Sequence, residues 1–151
     1  MRIEKILAAT DFSENGQRAF KCAHDLASQL GAKLYVIHVH DESTLRIAIK
    51  EGLLHADSTD EELSAAVEKL TEERFSKMME GLDISKTPVE YTTRRGDPKV
   101  VIIAYVKEID ANMVVVGRRG VSVKNIVVGS VADSLIRNSP CPVLVTRREH
   151  E

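Results

Sequence analysis

The chain has 151 residues, of which 43% are hydrophobic and 29% charged, the balance of one compact domain that buries its core without disulfide staples. Twenty-one basic side chains stand against twenty-three acidic ones, a formal net charge of -2, so no global field draws the chain to nucleic acid or to an anionic membrane. No apolar run approaches the roughly 20 residues of a membrane helix, and the N-terminus lacks the parts of a signal peptide, so a cytoplasmic protein is expected. Cys22 and Cys141 are far apart with no C-x-x-C spacing, and are expected as small buried apolar groups, neither of them a nucleophile.

Short apolar runs alternate with helical periodicity, the signature of strands joined by helices and hence of a parallel sheet. The first run, Ile3 to Ala9, leads through Thr10-Asp11-Phe12-Ser13 into a helix. Ser13 is placed to cap it, Ala19, Phe20, Ala23, Leu26, Ala27 and Leu30 form its buried stripe, and Gly31 closes it. The second run is Lys33 to Val39. The pattern is weakest from Asp41 to Thr59, which is expected to be a mobile insertion with a short helix over Leu45 to Leu54. A helix from Asp60 to Leu82 follows, with Leu63, Ala66, Val67 and Leu70 on one face and Met78 and Met79 as gap-filling core residues.

The third run, Val89 to Thr93, alternates and is predicted at an edge. Asp97 as cap and Pro98 at the first helical position open a helix through Val101, Ile102, Tyr105 and Val106. The fourth run is Asn112 to Gly117, the last helix starts near Gly129-Ser130 and ends before Pro140, and the fifth run is Pro142 to Thr146. Runs one, two, four and five are almost continuously apolar, as are strands covered by helices on both faces.

Ligands of open parallel sheets sit beyond the carboxyl ends of the strands, where the winding direction reverses. Three loops there carry suggestive residues: Thr10 to Ser13, Val39-His40-Asp41, and Gly117-Arg118-Arg119-Gly120. The last leaves backbone amides unshielded, and Gly129-Ser130 opens a helix whose positive end suits phosphate, so the two together suggest a polyphosphate cradle. It is neither a Walker A loop nor a Rossmann fingerprint, and glycines at such spacing also serve plain turns. Asp11 suits either an exocyclic amine or the turn into a helix. His38 and His40 share a face, but with no second pair at ligand spacing they are taken as structural. Arg118, Arg119, Arg94, Arg95 and Lys99 suggest a positive rim, with solvated surface charge the default for each.

Several of these pieces together carry a resemblance. They are Ile6-Leu7-Ala8-Ala9 running into Thr10-Asp11-Phe12-Ser13, a second strand ending His38-Val39, Gly96-Asp97-Pro98, Val114 to Gly120, Gly129-Ser130-Val131, and Ser139-Pro140-Cys141-Pro142 to Val145. In these the chain resembles the universal stress protein family over essentially its full length. The resemblance implies an α/β fold, an open five-stranded parallel sheet in the order 3-2-1-4-5 with helices on both faces. It also implies a homodimer through the last strand and, in the ATP-binding members, the pattern G-x-x-G, nine residues, G-[ST]. By that resemblance Asp11, with Thr10 beside it, and the backbone of Val39 would hold adenine. Ala9 and Gly117, next to Val116, would flank the ribose. Gly120, Gly129, Ser130 and Val131, with Arg118 nearby, would take the phosphates of ATP, and Mg²⁺ would accompany them through phosphate oxygens and water.

The spacer here, Val121 to Val128, has eight residues, and Ala9 stands where relatives often carry proline. Three functions stay open: a dimeric nucleotide-binding regulator, a nucleotide-independent interaction protein, and an enzyme. With no Walker-type lysine and no acidic pair in the phosphate loops, any ATP hydrolysis would be slow. No catalytic residue and no protein-borne metal ligand is assigned, and the protein partner is not specified by the sequence.

Overall fold

In the computed structural model, which describes residues 1–118, 121–122, 125–126 and 129–147, the first apolar run forms β1 (Lys5–Ala9). Residues Ile6 to Ala9 are all buried, because β1 pairs in parallel with β2 (Lys33–His40) on one side and β4 (Met113–Gly117) on the other. β3 (Val89–Arg95) adds to β2, and β7 (Val143–Thr146) adds to β4. The order is therefore β3-β2-β1-β4-β7, the expected 3-2-1-4-5 arrangement of an open five-stranded parallel sheet. Its last strand is numbered seven because β5 (Val121–Ser122) and β6 (Asn125–Ile126), two antiparallel pieces that the sequence patterns did not announce, lie inside the spacer.

Alternation along the strands sends Ile6, Ala8, Leu34, Val36 and Val115 to one face, where Ala19, Phe20, Ala23 and Ala27 of α1 (Glu14–Leu30) pack on them. Phe75, Met78 and Met79 of α3 (Asp60–Met79) close the same layer. Phe20 is 1% exposed and meets Phe75 edge-on at 6.1 Å, while Phe75 stacks on Tyr91 at 4.3 Å. The other face, with Leu7, Ala9, Ile37, Val114 and Val116, receives Ile102, Tyr105 and Val106 of α4 (Pro98–Ile109) and Ala132 and Leu135 of α5 (Ser130–Asn138).

The caps behave as the residue types dictate. The Ser13 hydroxyl accepts the Gly16 N–H at 3.1 Å, Gly31 ends α1 in the left-handed region at φ 66°, and the Asp97 carboxylate accepts the Lys99 N–H at 3.0 Å ahead of Pro98.

Five details differ from the sequence reading. The insertion helix α2 spans Glu42–Lys50, because Gly52 at φ 77° turns the chain before Leu54. α3 stops at Met79, ahead of Gly81 at φ 80°. β2 and β3 pair to their ends, His40 with Arg95, so the third strand runs past Thr93 and carries Arg94 and Arg95. β7 is half-buried along its length and not fully covered, since its outer edge pairs with no strand among the described residues. Cys22 and Cys141 are half-buried rather than buried; burial, assisted by Asp25, pushes the Cys22 thiol up, which still disfavours the nucleophilic thiolate. Among the described residues no helix is long and apolar enough to cross a membrane.

Because Phe20 anchors the column that ties α1 to α3 and β3, Phe20→Ala is expected to lower stability by about 3–5 kcal/mol. Urea denaturation checks this; a loss below about 1 kcal/mol would show that the layer re-closes without it.

Candidate functional site

Strands β1, β2 and β3 are joined across one face by α1 and α3, and β3, β4 and β7 across the other by α4 and α5. Right-handed crossovers require that change of face when the direction of travel along the sheet reverses. The chain thus leaves the carboxyl ends of β1 and β4 toward opposite faces, and a crevice opens between them.

Ala9 and Val116 are register partners across β1 and β4. Thr10 and Asp11 follow directly on one side, and Gly117 and Arg118 on the other. Val39, at the end of β2, and Val131, in the first turn of α5, pack against the same cluster as Ala9 and Val116. Gly129 is the cap residue of α5 at φ 89°, and it offers no side-chain acceptor to the first amides of the helix. Ten of the expected contacts are thereby at or next to one end of the sheet; Gly120, like Arg119, lies outside the described residues.

The loop after β1 is tightly wired. The Asp11 carboxylate accepts the Ser13 N–H at 2.9 Å and the Ser13 hydroxyl through the same oxygen, Oδ1. Ser13 in turn caps α1, so Asp11 is first of all part of a helix start; its second oxygen, Oδ2, takes part in neither bond. The Thr10 hydroxyl accepts the Phe12 N–H at 3.1 Å, and Phe12 holds a left-handed φ of 63°, a conformation of order 1–3 kcal/mol above the common regions for such a residue.

Two glycines let α1 approach this closely. A Cβ at Gly16 would stand 2.7 Å from Asp11 Oδ1 and 2.8 Å from Thr10 Oγ1, and one at Gly117 would stand 2.5 Å from the Asn15 carbonyl oxygen. Gly117 therefore makes room for the first turn of α1, a role independent of any ligand.

The expected positive rim is altered. Arg118 is only 8% exposed, not a solvated charge; it follows β4, and its N–H donates to the Thr146 carbonyl at 3.0 Å. Arg94 pairs with Glu108 at 3.0 Å, and Arg95 with Glu42 at 2.6 Å and Asp60 at 3.7 Å, so carboxylates offset both charges. A separate open groove runs along α1 and β7, lined by Arg18, Cys22, Leu26, Leu144 and Thr146; none of the expected nucleotide contacts lines it.

Sequence patterns gave no functional weight to His38. Its Nδ1 lies 2.9 Å from the Thr10 carbonyl, its ring is 4.7 Å from that of Phe12, and burial, the largest influence, holds it below the ordinary histidine value. The signal available in sequence was its place two residues before the end of a central strand, on the face where β1 turns into α1.

Gly117→Ala is expected to lower stability by about 1–3 kcal/mol, as overpacking against backbone does. Where a glycine site has room, alanine instead stabilises by roughly 0.4–1 kcal/mol, so denaturant midpoints separate the two outcomes.

The universal stress protein family matches residues 2–147 of the chain. Universal stress protein YxiE of Bacillus subtilis is 29% identical over 149 residues, covering 95% of this chain and 98% of that one. Among solved structures, hypothetical protein MJ0577 superposes with a TM-score of 0.73 at 26% identity, over 100% of both chains. A universal stress protein in complex with cAMP gives 0.62 at 20% identity, covering 97% and 98%. The universal stress protein of Archaeoglobus fulgidus in complex with dAMP gives 0.60 at 22%, covering 97% and 100%. With the sheet order, the switch-point crevice and a match spanning nearly the whole sequence in agreement, the chain belongs to the universal stress protein family.

Proposed function

We propose that the chain is a regulatory module that binds an adenine nucleotide, ATP with Mg²⁺, in the crevice between β1 and β4, and that it works as a homodimer joined through β7. The observation that carries this reading is the start of α5: nine residues of helix whose cap is Gly129, with no side-chain cap for the first amides among the described residues, and whose Val131 packs on the same apolar cluster as Ala9, Val39 and Val116. Amides left in this way, with the helix dipole behind them, suit phosphate oxygens, and Ser130 adds a hydroxyl. Gly120 would complete the cradle, and Arg118 would lend charge from the end of β4. Thr10, Asp11 and the Val39 backbone would take the adenine edge, and Ala9 and Gly117 the ribose. Mg²⁺ would be held through phosphate oxygens and water. The cAMP and dAMP bound by two proteins of the same fold support adenine nucleotides as the ligand class.

For the dimer, the support is the outer edge of β7, which pairs with no strand among the described residues. Val114 of β4 and Arg118 just after it donate to the carbonyls of Pro142 and Thr146 at 3.0 Å each, so strand alternation aims the backbone groups of Val143 and Val145 away from β4. The edge reads Val-Leu-Val-Thr with no charge or proline to blunt it, whereas β3 at the opposite edge carries Glu90, Arg94 and Arg95. A two-fold pairing of β7 with its copy satisfies these groups, and the groove along α1 is continuous with that edge.

Two experiments test the two halves. Nucleotide released from the denatured purified protein is identified by chromatography, and the nucleotide-free protein is melted with and without Mg-ATP. At about 100 times Kd, one-site binding adds about 2.7 kcal/mol, a rise of roughly 5–10 °C for a chain this long. Gly129→Val should abolish the rise while leaving the nucleotide-free melt cooperative. Neither released nucleotide nor a rise would leave a nucleotide-independent interaction protein. Separately, Val145→Pro removes an outward N–H without touching the β4 ladder, and sedimentation is expected to turn from dimer to monomer; an unchanged dimer would place the interface elsewhere.

A further inference from the structure

β2 carries His38 and His40 onto the face covered by α1 and α3, 7% and 5% exposed, with their rings stacked at 6.4 Å. A carbonyl only accepts, so the 2.9 Å contact of His38 with the Thr10 oxygen puts a proton on Nδ1 and leaves Nε2 as the unprotonated nitrogen of a neutral ring. The same ring supports Phe12, whose left-handed backbone needs such support to persist. One imidazole thus touches the loop on both sides of Asp11, at the peptide before it and at the residue after it. From the far side the first turn of α1 leaves no slack, as the absent Cβ of Gly16 records.

We infer that His38 is the positioning residue that holds Thr10 to Ser13 in the form able to receive adenine, and that its protonation in mild acid releases the loop and weakens nucleotide binding. The inference rests on the nucleotide-binding reading of the same crevice.

The groups facing the two rings set the direction of the response. Burial is the largest influence on both and holds each below the ordinary histidine value. Around His38, the Thr10 carbonyl, Asp11 and Asp41 favour the charged ring and Arg74 of α3 opposes it. Around His40, His38 and Arg95 oppose charge, while Asp41 and Glu68 favour it. An unfolded histidine, with a pKa of about 6.5, takes its proton first. Stability from the neutral rings is therefore complete above that value and is lost as pH falls below it toward the folded values. The incoming proton goes to Nε2 of His38, in a buried layer against a second imidazole. Burial and Arg74 both disfavour that charge, and turning the ring outward relieves them at the expense of the Thr10 bond and the Phe12 contact together.

Mg-ATP affinity is measured by calorimetry at pH 7.5 and 5.5 for the full chain, for His38→Asn and for His38→Phe. In parallel, amide exchange of Phe12 and Ser13 is followed without nucleotide and corrected for intrinsic rates. The asparagine amide N–H stands where Nδ1–H stood and does not titrate, and the phosphates titrate alike in every sample. The expected result is that the unmodified chain loses at least about threefold more affinity than His38→Asn across this range, with a matching loss of protection. His38→Phe, which keeps the ring contact but not the donor, is expected to bind more weakly at both pH values. Parallel pH profiles for the unmodified chain and His38→Asn, with unchanged protection, would overturn the inference. If no nucleotide binds at pH 7.5 the binding reading fails by itself. Exchange then decides for His38 alone: acid-dependent protection absent from His38→Asn supports its hold on the loop, and pH-independent protection refutes it.

Discussion

Parallel strands joined by helices accept only right-handed crossovers, and the rest of this molecule follows from that handedness. β1 lies in the middle, so the chain must advance in one direction to β3 and then return past its own start to reach β4 and β7. The helices change face on the return, with α1 and α3 on one side and α4 and α5 on the other. A crevice at the ends of β1 and β4 is the geometric residue of this reversal, and it forms before any side chain is chosen to fill it.

The side chains around it serve the fold and the crevice at once. Asp11 holds Ser13 and through it the start of α1, and the proposed reading also sets it at the adenine edge. Gly16 and Gly117 are small because α1 lies against the loop and against β4. Beside this close approach Phe12 holds an uncommon backbone conformation. By contrast the arginines of β3 are answered by Glu108, Glu42 and Asp60. Such exposed pairs contribute about 0–1 kcal/mol each, so they mute the field at this edge more than they brace it.

Much of this was legible in the sequence because local chemistry and global fold agree. Continuous apolar runs marked the central strands, Ser13 and Asp97 marked helix starts, and Gly31 marked a helix end. The alternating third run lay at an edge, as its pattern required. The short β5–β6 pairing is not legible in the sequence because two-residue strands carry no period to detect. Boundaries slipped where positive-φ glycines at 52 and 81 stopped helices early. The burial of Arg118 and the link from His38 to the Thr10 carbonyl are contacts between strands distant in sequence, and no spacing rule reports them. For Gly117, the residue type was evident but the reason was not, since it depends on where Asn15 falls in space.

Binding of an adenine nucleotide in the reversal crevice is the proposal that joins these features. It is tested most directly by recording backbone amide NMR shifts of the isotope-labelled protein as Mg-ATP is added. Perturbations are expected to concentrate at Thr10 and Asp11, at Val39, at Gly117 and Arg118, and at Gly129 to Val131, with residues along α1 and β7 such as Cys22, Leu26 and Leu144 unmoved. Perturbations confined to that second groove, or no perturbation at saturating nucleotide, would contradict it.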